Sequence, residues 1–186
     1  MRNMKSKILV IALAVIFVVF FSKDTLAYYS TIGKATNVIT SGDIQFQIHE
    51  YTTDGELFPE DGVSVIPGDV VDKVVTIENI CEQPFYLRVK LVIDIDSEEL
   101  SADGCLSYDL NTQHWVSQED GYIYYYRILQ PGEVTEPVFT QVEIVGDMVD
   151  QHYLGETLTL SVTAHAVQSA HNSAAEPWEA DGWPTE

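Results

Sequence analysis

Positive charge is scarce in this chain: nine Lys and Arg stand against 29 Asp and Glu, a formal net charge of −20. Four of the nine (Arg2, Lys5, Lys7 and Lys23) fall before residue 28, leaving Lys34, Lys73, Arg88, Lys90 and Arg127 for the rest. Phosphate binding needs clustered cations, so nucleic acid is excluded as a partner, and anionic membrane surfaces are disfavoured. What remains is a solvated acidic surface, or attraction for cations or a basic partner. Cysteine is nearly absent, with Cys81 and Cys105 alone. No Cys-x-x-Cys pair or Cys/His cluster occurs, which excludes a zinc ribbon or finger. Catalytic motifs are missing too. His49, His114, His152, His165 and His171 are scattered, His49-Glu50 has no second His four residues after the first, and neither GxSxG nor a Gly-rich phosphate loop is found. With no catalytic residue to name, the chain is expected to be no enzyme.

Long apolar runs are absent except one. Residues 8–21 are fourteen positions without charge, Gly or Pro, after a basic start and before polar Ser22-Lys23-Asp24-Thr25. As a helix this run reaches about 21 Å, short of the roughly 30 Å hydrocarbon core. The layout is that of a secretory signal peptide over 1–27, with Ala27 and Tyr28 at the processing junction. A retained anchor is the alternative, so a membrane enters only through an uncleaved leader. Cleavage leaves a chain with a net charge of about −23. In an exported chain Cys81 and Cys105 suit a disulfide, which would close a loop of about 24 residues and contribute about 3 kcal/mol. Two buried free thiols are the alternative, and the spacing does not decide between them.

Beyond the leader the dominant period is two. Ile44, Phe46 and Ile48 alternate with polar residues, which marks a half-buried strand. In residues 85–96, Phe85, Leu87, Val89, Leu91, Ile93 and Ile95 share one face. A long central strand of a one-sided sheet follows, with Arg88 and Lys90 on the outer face and carboxylates expected beside them. Residues 158–166 alternate in the same way and give a final strand. Shorter strands are expected near 63–66, 70–78, 106–116, 122–129 and 134–145. Pro67-Gly68-Asp69, Glu119-Asp120-Gly121 and Pro131-Gly132 are turn signals. Residues 97–103 have room for one helical turn, and 147–155 for a short helix or loop. About seven to eight strands with almost no helical periodicity predict an all-β, jelly-roll-like β-sandwich. The chain divides into a signal helix at 1–27, an N-terminal arm at 28–41, the sandwich at 42–168 and a polar tail at 169–186.

Asp94, Asp96, Glu98, Glu99 and Asp103 form the densest carboxylate cluster. Hard cations want several oxygen ligands, so Asp94, Asp96, Glu98 and Asp103 are weak candidates for calcium. The EF-hand spacing fails, and a solvated, partly paired face is the simpler reading; otherwise no cofactor is expected. Tyr122-Ile123-Tyr124-Tyr125-Tyr126 offers stacking surface for a glycan, although alternation turns half of a strand's residues inward.

The N-terminal region resembles the TasA/camelysin family of exported Gram-positive proteins, whose leaders are cut by a dedicated, SipW-type signal peptidase. The residues that carry the likeness are Ala27-Tyr28-Tyr29-Ser30, then Asn37-Val38-Ile39-Thr40-Ser41-Gly42-Asp43-Ile44. Ile66-Pro67-Gly68-Asp69 with Val75-Thr76-Ile77-Glu78-Asn79 is similar to a family turn and strand. So is the tail, Ala166-Val167-Gln168-Ser169 through Asp181-Gly182-Trp183-Pro184. Residues 100–149 add nothing to the likeness, and no zinc motif supports camelysin's peptidase activity. The resemblance implies a secreted, self-associating subunit of biofilm-matrix or cell-surface fibres, with the signal peptidase as its partner during export. An arm led by Tyr28, Tyr29, Asn37, Val38 and Ile39 would add as a strand to the next copy. The alternative is a monomeric surface module for a cation or glycan.

Overall fold

A computed structural model describes residues 29–37 and 44–184. The leader, Ala27, Tyr28, Val38 and Ile39 lie outside the described residues, and with them the processing junction and part of the arm.

The described chain is all-β. Its strands are β1 (Tyr29–Asn37), β2 (Phe46–Tyr51), β3 (Val63–Val65), β4 (Val70–Asp72), β5 (Val74–Asn79), β6 (Phe85–Ile95), β7 (Leu106–Tyr108), β8 (Trp115–Ser117), β9 (Ile123–Tyr125), β10 (Gln141–Ile144) and β11 (Thr157–Gln168). Two short 3-10 turns, Gln151–Tyr153 and Pro177–Glu179, supply the helical content. Residues 97–103, given room for a helical turn, are bends and turn instead. The strands outnumber the seven or eight expected because several are only three residues long. Side chains and irregular backbone interrupt what the composition presents as single β-prone runs.

One sheet has six strands in the order β3-β1-β11-β6-β9-β8. Its backbone is the antiparallel pair β6 and β11, in register from Leu158↔Ile95 to Gln168↔Phe85. Facing it are the sheets β4-β10-β7 and β2-β5. Backbone bonds from Lys73 to Thr140 (3.0 Å), Thr135 to Ile77 (2.9 Å), Val138 to Val75 (2.8 Å) and Asn79 to Glu133 (2.9 Å) tie the two together. Residues 70–79 therefore run beside 133–144 as one interrupted antiparallel pair. The inner faces of both layers meet in one core, with Phe46, Val75, Ile77 and Val142 from one side and Leu87, Val89, Leu160 and Val162 from the other. The arrangement is consistent with a β-sandwich.

The period of two explains these faces. Burial alternates strictly through β5 and through the first half of β11, so every second side chain enters the core. β6 departs from that pattern. Its first five residues are all buried, Tyr86 and Arg88 on the outer face included, because the chain after β11 folds back over that end of the sheet. The turn signals hold where backbone sterics require them. Gly68 (φ 90°) closes Pro67-Gly68-Asp69, with Asp69 N–H donating to Ile66 O at 3.0 Å, and Gly121 (φ 80°) closes the β8–β9 hairpin. Glycine takes a positive φ without a Cβ clash.

The expected 70–78 strand breaks at Lys73. Its side chain turns inward and is 1% exposed, with Nζ 2.8 Å from Glu50 Oε1 and 4.0 Å from the centroid of the Phe58 ring. The break separates β4, which pairs with β10, from β5, which pairs with β2.

Candidate functional site

β1 occupies an interior position of the six-stranded sheet. It runs parallel to β11 over eight positions, Ser30↔Thr157 to Asn37↔Ala164, and antiparallel to β3 over three, Tyr29↔Val65 to Thr31↔Val63. Among the described strand pairs, every other one is antiparallel. Parallel ladders are slightly weaker per residue and need long connections. Here the connection is almost the whole chain: the first described strand pairs with the last.

The register puts small or polar residue types against core positions of β11. Thr31, Gly33, Ala35 and Asn37 lie opposite Leu158, Leu160, Val162 and Ala164, and those four β11 residues are each 0% exposed. The composition of β1, Tyr-Ser-Thr-Ile-Gly-Lys-Ala-Thr-Asn, holds little apolar bulk beyond Tyr29 and Ile32. Of the arm residues, Tyr29 and Asn37 are the two ends of β1. The strand extends further toward the N-terminus than composition indicates, since residues 28–34 carry no apolar alternation. The available signal was β11 itself: a long, one-face-apolar strand at the chain's end needs partners on both edges.

The other sequence candidates are not drawn together. Asp94 and Asp103 line a groove of ≈ 590 Å³ with Leu91, Ile93, Ile95 and Ser101. No group of three His, Cys, Asp or Glu among the described residues is placed to hold a metal ion, so Asp94, Asp96, Glu98 and Asp103 do not converge. Cys81 and Cys105 are both free. Cys105 sits where its carbonyl accepts from Val145 N–H, whereas Cys81 lies two residues past Asn79, whose N–H donates to Glu133 O. The Cys81 thiol donates to Asn79 Oδ1 and to Gln83 O, and the Cys105 thiol to Ser101 O. Of the two readings left open by the spacing, the structure holds the pair as free thiols.

The tyrosine run is largely closed. Tyr122, Tyr124 and Tyr125 are buried, and only Tyr126, 41% exposed, presents an open ring. Tyr125 points into the core against Trp115, with ring centroids 5.1 Å apart, and its hydroxyl donates to Glu136 Oε2. Burial, then that hydrogen bond, pushes the Tyr125 hydroxyl well above its ordinary pKa. The same bond holds the Glu136 carboxyl below the usual carboxylate range. Tyr122 and Tyr124 face outward toward Arg88. Arg88 Nη1 donates to the Tyr124 hydroxyl at 3.1 Å, Nη2 lies 3.4 Å from His165 Nδ1, and the carboxylate expected beside this cation is that of Asp120 in the β8–β9 turn, whose Oδ2 is 3.9 Å from Nη1. This buried arginine was not legible as such, because its cover comes from the tail.

Comparison of the chain with family models, curated proteins and solved structures returned no match.

Proposed function

We propose that this is an exported, non-enzymatic structural protein, a subunit of extracellular-matrix or cell-surface fibres that join by strand addition. The 28–41 arm leaves its own sheet and pairs with β11 of a neighbouring copy, and the sandwich is read as a jelly roll. One observation carries the reading: an N-terminal strand of low apolar content fills an interior slot of the main sheet, hydrogen-bonded to the C-terminal strand. In a single copy that pairing closes the sheet and hides an edge that would otherwise recruit other chains. In a polymer the same backbone bonds are satisfied by a neighbour's arm, so exchange loses no ladder and links the copies. The leader gives the route: the secretory machinery exports the chain, a signal peptidase cuts after Ala27, and cutting frees the arm.

Light scattering and negative-stain microscopy of protein starting at Tyr28, compared with protein starting at Gly42, test this. Fibres from the first and none from the second are expected. A chain starting at Gly42 that polymerises in the same way would overturn the arm mechanism.

A further inference from the structure

β6 is a long strand with one short neighbour. β11 pairs with it from Leu158↔Ile95 to Gln168↔Phe85, whereas β9 pairs with it only at Arg88↔Tyr124 and Val89↔Ile123. Among the described residues no strand lies beside residues 90–95 on the β9 side, because the turn before β9, closed by Gly121, takes the chain across to β8. Backbone direction says which groups this leaves open. Phe85 exchanges both backbone bonds with Leu129 on the β9 side, at 3.2 and 2.9 Å, while Asp96 N–H donates to Thr157 O on the β11 side at 3.0 Å. In an antiparallel ladder successive residues present N–H and C=O to opposite neighbours. The register against β11 advances one for one, so Leu91, Ile93 and Ile95 turn theirs toward the open edge. That edge is about 20 Å long at roughly 3.3 Å per residue, the length of an ordinary strand.

The same three side chains are half-buried and line the groove of ≈ 590 Å³, together with Leu100, Ala102 and Asp103 from the segment that follows β6. That segment is pinned at Ser101, whose carbonyl accepts from the Tyr153 hydroxyl at 2.9 Å and from the Cys105 thiol at 3.3 Å. Asp94, Asp96, Glu98, Glu99 and Asp103 are exposed, and among the described residues none of them is in an ion pair. Charge along an open edge deters a strand of the same sign and favours one of the other.

We propose that the open edge of β6 is a strand-acceptor site for an extended, basic segment of a partner protein, one that alternates apolar residues with Lys or Arg. Added antiparallel, like β9, such a segment bonds the backbone groups of Leu91, Ile93 and Ile95. Its apolar side chains enter the groove, and its cations lie on the other face beside Asp94 and Asp96. Charge decides the occupant. At −20 a second copy is repelled. Nor does the chain hold such a segment: after residue 28 its cations are Lys34, Lys73, Arg88, Lys90 and Arg127, and the two that stand near one another, Arg88 and Lys90, belong to β6 itself. The proposal does not rest on the arm reading, because β1 lies across β11 from this edge.

The probe is a fluorescent eight-residue peptide of alternating Val and Lys with blocked ends, titrated by anisotropy into the full chain. Saturable binding is expected. The same composition with Val and Lys in separate blocks, and the alternating peptide N-methylated on its valines, should bind about tenfold or more weakly. Asp94→Lys with Asp96→Lys, both at exposed positions, should also cost about tenfold. Residue-resolved hydrogen exchange reads the edge itself. In the free protein the Leu91, Ile93 and Ile95 amides should exchange faster than those of Val92 and Asp94, which face β11, and the peptide should slow those three. Equal binding of the block and alternating peptides would overturn the proposal, as would unchanged exchange at Leu91, Ile93 and Ile95 with excess peptide. Slowing of the same three amides by raising the concentration of the protein alone would put a second copy in the slot and overturn it too.

Discussion

Lys73 shows how one side chain can divide a strand. Burial pushes its ammonium below its ordinary pKa, and the Glu50 carboxylate pulls it back up without cancelling the shift. Removing one member of such a pair strands the other. Lys73→Met at neutral pH is expected to cost about 3 kcal/mol in urea denaturation, whereas Lys73→Met with Glu50→Leu recovers most of the loss. A double variant as unstable as the single one would show that shape, not charge, dominates at this position. The carboxylates give a pH signature. The Gln130 N–H and Arg127 lower Glu133, and the Tyr125 hydroxyl lowers Glu136. At Asp109 partial burial works the other way, but hydrogen bonds from Thr140 and Gln141 outweigh it and the net shift is downward. Their unfolded values lie near 4, so the unfolded chain binds more protons just below that pH. The stability they contribute is fully present above about pH 5 and is lost as pH falls through the folded values. Urea midpoints should decline below about pH 4, and Glu136→Gln should flatten that decline. None of this was legible in sequence, because Lys73, Glu136 and Tyr125 acquire their surroundings only when distant strands meet.

At the scale of elements, β2, β6 and β11 were legible because their period of two reports a core on one side. Ile44, Phe46 and Phe85 are 4% exposed or less, as the alternation requires. β1 was not, since its sequence, Tyr-Ser-Thr-Ile-Gly-Lys-Ala-Thr-Asn, carries little hydrophobic pattern. The fold-back of the chain after β11 was invisible for a different reason: Trp183 and Pro184 look like isolated residues in a polar tail, and their partners, Arg88 and Tyr124, lie far back in the chain. The pairing in β11 has an energetic consequence. Leu160, 0% exposed, sits on the β11 core face. Leu160→Ala should cost about 2–5 kcal/mol in chemical denaturation. A loss well under 1 kcal/mol would contradict a close-packed interface between the two layers.

For the whole molecule, net charge opposes any assembly of copies. At −20, repulsion between approaching chains is screened over about 10 Å in 0.1 M salt and about 3 Å in 1 M. Polymer growth by arm exchange should therefore quicken with ionic strength when followed by light scattering, and growth that slows with salt would point to attraction between opposite charges instead.

The central claim concerns whose β11 each arm meets, and cross-linking in register measures that directly. Ala35 and Val162 are paired positions of β1 and β11. With Cys81 and Cys105 replaced by Ser, copies carrying only Ala35→Cys and copies carrying only Val162→Cys are mixed, allowed to polymerise, oxidised and run on a denaturing gel. Arm exchange predicts disulfide-linked dimers joining one copy of each kind, growing with the polymer fraction. Polymers that yield no mixed dimers, while the double variant Ala35→Cys with Val162→Cys closes only within single chains, would contradict the account.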